Sequence, residues 1–351
     1  MLSKVIFLCT GLLLLIGCNS RSPEIRAVCL RDDIGNYVIK WETEPIIEGT
    51  VKMYVSDSPD TFTYDAPAIY ANIKEGIATY ITHDNTTRKY FEMVFNIKCS
   101  RIVGARSVVM DSIQNLRDMG GYNIRNKKTT RWGKLFRSGQ LSSLSEWDSI
   151  RLDNLGIKTI IDLRTDAEIA AKPVKYTNAK IVHIPITNAQ LPELPARIMS
   201  GTIRKGDAIL YMQDLYLQLI TENTQQFVKA LEELQNPDNY PILFNCTLGK
   251  DRSGFLAAIL LAALGASEDT IIKDYMASNE YINLNQLAYL ARNLSTDAQE
   301  AITVVVSTNE SFINLAIQKI RKDYGSVDKY LTKELQLDEK RRNRLKDILL
   351  Y

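Results

Sequence analysis

The chain has 351 residues, 45% apolar and 24% charged, ordinary values for a globular protein with room for two domains. Its net charge of +2, with no long Lys/Arg run, sets nucleic acid aside as a default partner. Two histidines, His83 and His183, are too few and too scattered for a histidine metal centre, and no metal or other cofactor is expected.

At the amino terminus Lys4 precedes an apolar run from Val5 to Ile16, followed by Gly17 and Cys18. A charged start and an apolar stretch too short to span a bilayer mark residues 1–17 as a signal peptide. The tail Leu15-Ile16-Gly17-Cys18 resembles a bacterial lipobox, whose cysteine is lipidated and becomes the first mature residue. That resemblance implies an exported lipoprotein of the cell envelope, anchored through Cys18 to the periplasmic face or outer surface of a membrane. An ordinary secretory peptide with an incidental cysteine is the alternative.

After a polar linker (residues 18–23), residues 24–105 read as all-β. Ala27–Leu30, Tyr37–Trp41, Thr50–Ser56, Ala78–Ile81 and Tyr90–Ile97 are strand-like. Asp32–Asn36, Asp57–Asp60 and His83–Thr87 are turn clusters between them. Short strands at this spacing suggest a small sandwich, similar to fibronectin type III or immunoglobulin-like modules, with Trp41 as its core aromatic. Such a module spaces or presents a partner domain more often than it catalyses. Cys29 and Cys99 lie in strand-like runs at either end of it, and outside the cytoplasm they could pair or stay as free thiols.

From residue 106 the pattern changes to strands separated by helices. Ser145 to Leu155 reads as a helix stopped by Gly156, Thr159–Leu163 and Ile181–Ile186 as strands, and Ala208–Ile220 and Thr221–Leu234 as helices. This alternation implies an α/β domain with a mostly parallel central sheet flanked by helices, over residues 106–351. The run Ile302–Val306 is ambiguous. Helices follow over Ser311–Tyr324, Ser326–Leu335 and Asp338–Leu350.

The apolar strand Ile242–Asn245 ends at Cys246. The loop Thr247-Leu248-Gly249-Lys250-Asp251-Arg252-Ser253-Gly254 follows, then an apolar helix, Phe255–Leu264, closed by Gly265. A strand-to-helix loop aims several backbone N–H groups at one point and suits a phosphate-like dianion. The same positive field, with Lys250 and Arg252, favours a thiolate at Cys246. The nucleoside-triphosphate loop is excluded, because Phe244 stands at its first glycine and Asp251 at its Ser/Thr.

Cys246, five residues, Arg252, Ser253 resembles the signature loop of the cysteine-dependent tyrosine and dual-specificity phosphatases. The extended form Cys-x-x-Gly-Lys-Asp-Arg-Ser-Gly is similar to their bacterial tyrosine/lipid branch. Asn115–Tyr122, Leu135–Leu141 and Thr159–Arg164 add three further points of resemblance. The resemblance implies a tyrosine phosphatase-like fold and a phosphomonoester hydrolase working through a cysteinyl-phosphate on Cys246. Arg252 then clamps phosphate oxygens with its planar fork, Gly249 and Gly254 permit close backbone approach, and Ser253 bonds the sulfur or caps the helix. Thr247 and Leu248 complete the phosphate cradle, and Lys250 adds charge for further substrate phosphates. The general acid is left among Asp214 (32 residues before the cysteine), Asp162 and Asp251. The family usually has His before the cysteine and this chain has Asn245, which puts the activation of the thiol in question. Expected substrates are phosphorylated proteins. Phosphoinositides or inositol phosphates are the alternative, and so is a non-catalytic surface lipoprotein that binds phosphorylated ligands.

Overall fold

A computed structural model describes residues 23–351 except 33, 97–98 and 188–192. The expected signal peptide and lipobox, with Cys18, fall on residues outside the described ones. No described helix is long and apolar enough to cross a membrane.

Among the described residues seven strands precede the α/β part: β1 (Glu24–Arg31), β2 (Tyr37–Glu44), β3 (Thr50–Ser56), β4 (Ile69–Asn72), β5 (Ile77–Tyr80), β6 (Tyr90–Phe95) and β7 (Cys99–Gly104). They form two antiparallel sheets, β1-β2-β5 and β4-β3-β6-β7. Alternate residues of both sheets meet in one core: Tyr37, Ile39 and Trp41 from the first, Val51, Met53, Phe91, Met93 and Phe95 from the second. Trp41 is buried there, its indole N–H satisfied by the Ile73 carbonyl at 2.8 Å. The short edge strand β4 escapes the sequence pattern because its four residues carry too little alternation to register. Of the two states the sequence leaves open for Cys29 and Cys99, the structure has the free thiols. Cys29 lies opposite Ala105 in a parallel bridge. Cys99 is six residues upstream, roughly 20 Å away along the strand, whereas a disulfide needs Cα atoms within about 7 Å.

The third sheet runs β11-β10-β12-β9-β8, from β8 (Arg117–Asp118), β9 (Leu135–Ser138), β10 (Thr159–Asp162), β11 (Lys180–His183) and β12 (Ile242–Asn245). Four strands are parallel and the two-residue edge β8 is antiparallel to β9. Alternate side chains point to opposite faces. Leu135, Ile161, Ile242 and Phe244 join one core, Phe136, Ile160 and Leu243 the other.

Among the described residues thirteen α-helices alternate with and follow these strands: α1 (Glu146–Leu155), α2 (Asp166–Ala171), α3 (Leu194–Met199), α4 (Lys205–Thr221), α5 (Thr224–Leu234), α6 (Arg252–Leu264) and α7 (Glu268–Met276) come first. Then come α8 (Ser278–Tyr281), α9 (Leu284–Ala291), α10 (Thr296–Val306), α11 (Glu310–Tyr324), α12 (Val327–Lys333) and α13 (Glu339–Leu349). The expected helix from Thr221 starts at Thr224, because Asn223 leaves the helix to bond both the N–H and the carbonyl of Thr187 at 3.1 Å. The ambiguous run Ile302–Val306 is the end of α10, capped by Ser295 and anchored by buried Ala298 and Ala301. Packing overrides the β-propensity of its valines.

Candidate active site

Cys246 ends the central strand of the parallel sheet, at the carboxyl edge where such sheets bind ligands. It is buried, and α6 begins six residues later at Arg252. The carbonyls of Thr247 to Lys250, in the loop between them, are held from outside, and that of Asp251 by Phe255 N of α6. Thr247 O accepts from Gln140 N (3.1 Å), Leu248 O from Asn115 Nδ2 (3.0 Å), and Gly249 O and Lys250 O from Arg137 Nη2 (2.6 and 3.3 Å). Among the described residues, no N–H from Thr247 to Asp251 has a hydrogen-bond acceptor. Carbonyls fixed outward leave the N–H groups to converge with the start of α6, an anion nest beside the sulfur. Gly249 makes the turn with φ +70°, and a Cβ there would lie 2.4 Å from the Ser138 carbonyl, so no other residue fits.

Arg137 is buried at the centre of an ion cluster beneath this loop. Its Nη1 donates to Asp274 at 2.6 Å, and Arg117 donates to the same carboxylate at 3.4 Å and to the Asp274 carbonyl at 2.9 Å. Burial alone would raise the Asp274 pKa, but the two guanidiniums hold it down at about 2. Arg117, buried and next to a second cation, is lowered to about 10. Two arginines sharing one carboxylate leave net positive charge under the anion site. Gly254 admits this arrangement. A Cβ there would stand 3.1 Å from Arg137 Nη2, so its missing side chain serves the guanidinium below the loop and not an approach to the anion.

A second cluster lies on the outer side. Arg252 forms a two-pronged ion pair with Glu168, Nη1 to Oε2 at 2.7 Å and Nη2 to Oε1 at 2.8 Å, and donates to Thr247 Oγ1 at 3.1 Å. Glu168 also accepts from the Thr247 hydroxyl and, as the capping-box residue of α2, from Thr165 N at 2.8 Å. Burial would raise its pKa, yet the bonds from Arg252 and Thr247 hold it at about 2. Burial likewise opposes the Arg252 charge, but its bonds to Glu168 hold its pKa above the ordinary value. The sequence reading missed Glu168, although Thr165-x-x-Glu168 is a readable capping box.

The three acid candidates separate cleanly. Asp214 sits on the exposed side of α4 without a site contact and is withdrawn as a proton donor, because spacing along the chain does not fix direction on a helix. Asp162 is fully buried. It accepts from Arg164 Nε and Nη2 at 3.0 and 2.7 Å and from Asn245 Nδ2 at 3.2 Å, which occupies both its oxygens. Asn245 thus ties Cys246 to β10 through Asp162. Asp251 lies on the loop, part-exposed, with Oδ1 accepting from Lys250 Nζ (2.7 Å) and from the Tyr216 hydroxyl (2.9 Å), which in turn bonds Tyr275 (2.8 Å). Lys250 is buried in that pair, so reaching a further phosphate requires it to leave Asp251. Ser253 is the second residue of α6 and Asp251 precedes the helix, so Ser253 is not the N-cap. Its buried Oγ bonds neither the Cys246 sulfur nor any other described group.

Residues 108–351 match the tyrosine phosphatase family. A Cupriavidus necator protein provisionally named a tyrosine-protein phosphatase is 31% identical over 242 residues, 68% of this chain and 87% of that one. The triple specificity protein phosphatase PtpB of Mycobacterium tuberculosis is 28% identical over 277 residues, 66% of this chain and 97% of that one. A tyrosine-protein phosphatase of Nostoc commune is 28% identical over 149 residues, 42% of this chain and 48% of that one.

Proposed function

The chain belongs to the tyrosine phosphatase family and is a cysteine-dependent phosphatase of protein-tyrosine or dual specificity, and from that premise we propose which residues do the work. Cys246 attacks phosphorus as a thiolate, the P–O bond to the leaving oxygen breaks, and a cysteinyl-phosphate forms. Arg252 and the free N–H groups of Thr247–Asp251 hold the three equatorial oxygens as charge builds on them. Asp251 gives the leaving oxygen its proton. It then takes one from the water that cleaves the S–P bond, releasing phosphate and restoring the thiolate. Asp251 is favoured over its rivals because Asp214 is exposed on α4 with no hydrogen bond to the loop, and both oxygens of Asp162 are occupied.

The observation that carries this reading is the loop itself: carbonyls tied back, N–H groups free, the sulfur at its root. Phosphotyrosine in proteins is the substrate we favour over inositol polyphosphates, since the buried Lys250–Asp251 pair presents no free cation for a second phosphate. Turnover of p-nitrophenyl phosphate under reducing conditions, lost in Cys246→Ser, tests the assignment. An inactive wild-type protein that still binds phosphate would point to the non-catalytic alternative. Phosphotyrosine peptide, phosphoinositide and phytate then rank the substrates. We also propose that residues 24–105 are a fibronectin- or immunoglobulin-like module, and that Cys18 carries the lipid anchor at the cell envelope. Cys18→Ala should release the protein from membranes, and unchanged association would remove the anchor.

A further inference from the structure

Arg88 enters from the segment before β6, in the N-terminal sandwich, outside the family match at 108–351. Its guanidinium is nevertheless buried against the second domain. It packs on the rings of Tyr90, Trp132 and Phe136 at 4.8, 5.6 and 5.9 Å, donates to the Ala105 carbonyl, and pairs with Asp118. Asp118 is fully buried and also accepts from Gly120 N at 2.6 Å and Gly133 N at 2.8 Å. A buried pair of this kind is weak evidence for stability alone, because removing two charges from water costs much of what they gain. The reaction does not use it.

Its position suggests its use. Asp118 and Arg117 are the whole of β8, an edge strand of two residues paired with β9 on one side and, through the Ser107–Arg117 bridge and the Asp118 N to Arg106 O bond (3.0 Å), with the segment leaving β7 on the other. Both ladders are short, and the buried Arg88–Asp118 pair adds a side-chain hold on them from the sandwich. Arg117 donates to Asn115 Oδ1, and Asn115 Nδ2 holds the Leu248 carbonyl of the phosphate loop. Arg117 also stands opposite Arg137, which holds the Gly249 carbonyl, and both bind Asp274. Adjacent residues of one strand are therefore tied in two directions, Asp118 to the sandwich and Arg117 to the loop.

We infer that Arg88 is a positioning residue for the phosphate loop: by clamping β8 it makes the N-terminal sandwich a structural part of the catalytic site. The inference rests on the phosphatase assignment only for its kinetic readout.

The test compares Arg88→Met, Arg88→Lys and the control Lys134→Ala in the full chain. Lys134→Ala breaks the exposed ion pair Lys134–Asp60 between the same two parts. Hydrogen exchange of the amides from Thr247 to Asp251 and kcat with p-nitrophenyl phosphate are read for each. Arg88→Met should speed loop exchange and lower kcat by about tenfold, as expected for a small misplacement of anion-binding groups. Arg88→Lys should fall between, and the control should match wild type. A folded Arg88→Met with unchanged loop exchange and kcat overturns the inference, and so does a control that behaves like it. Should Arg88→Met not fold, Arg88→Lys carries both readouts. A wild-type protein without turnover refutes the phosphatase reading, while loop exchange still decides the coupling.

Discussion

Two arginine–carboxylate clusters flank the phosphate loop and differ in what surrounds them. The inner one, Arg137 and Arg117 on Asp274, is sealed from solvent and holds loop carbonyls. The outer one, Arg252 on Glu168, reaches toward solvent, with about a quarter of the Glu168 side chain exposed. The inner charges are sealed among one another and fixed neutral partners, so they act as scaffold. The outer guanidinium can exchange its carboxylate for a phosphate of similar shape and charge, as its proposed role on substrate requires. Similar chemistry serves two purposes, and burial decides which.

Breaking the inner cluster should have the larger effect. Arg137→Met leaves the buried Asp274 with only the 3.4 Å Arg117 contact and the Tyr122 hydroxyl, and frees the Gly249 and Lys250 carbonyls. We expect a loss of about 3–5 kcal/mol in denaturant unfolding together with activity. Arg252→Lys keeps the charge and loses the fork. It should lower kcat by about 10²–10³-fold with little change in Tm, and a comparable stability loss would erase the distinction between the clusters.

Acid should separate them further. Asp274 and Glu168 are both held at about 2, below their ordinary 3.8 and 4.5. Depressed carboxylates stabilise the fold fully above those ordinary values, and that contribution disappears as pH falls toward about 2. Asp274→Asn should therefore flatten the decline in stability between about pH 4.5 and 2 markedly, and Glu168→Gln more weakly because solvent screens it. Equal slopes in thermal melts across that window would contradict the ranking. The smallest effect is expected at Asp214→Asn, exposed on α4, where kcat should stay within about twofold of wild type.

The parallel sheet and its loop were legible in the sequence because both are local. Period-two burial shows in Ile160-Ile161 and Leu243-Phe244, and the strand, glycine turn and helix of the loop are contiguous. The partners of the loop were not legible, because they arrive from elsewhere in the chain. Asn115 and Arg137 lay inside motifs whose side-chain directions only the sheet reveals. Glu168 comes from α2, eighty-four residues before Arg252. Asp214 was drawn in by spacing taken from a resemblance, and the helix turned it outward. Arg88 belongs to another domain altogether, so nothing local could connect it with the loop.

The central claim is that the nest built on these two clusters serves a nucleophilic Cys246. Acid-quenching the protein during turnover of a labelled phosphomonoester and mapping the label tests it most directly. The label should sit on Cys246 as an S-phosphate and be absent from Cys246→Ser. Steady turnover with no phosphocysteine, or with label on another residue, would contradict it.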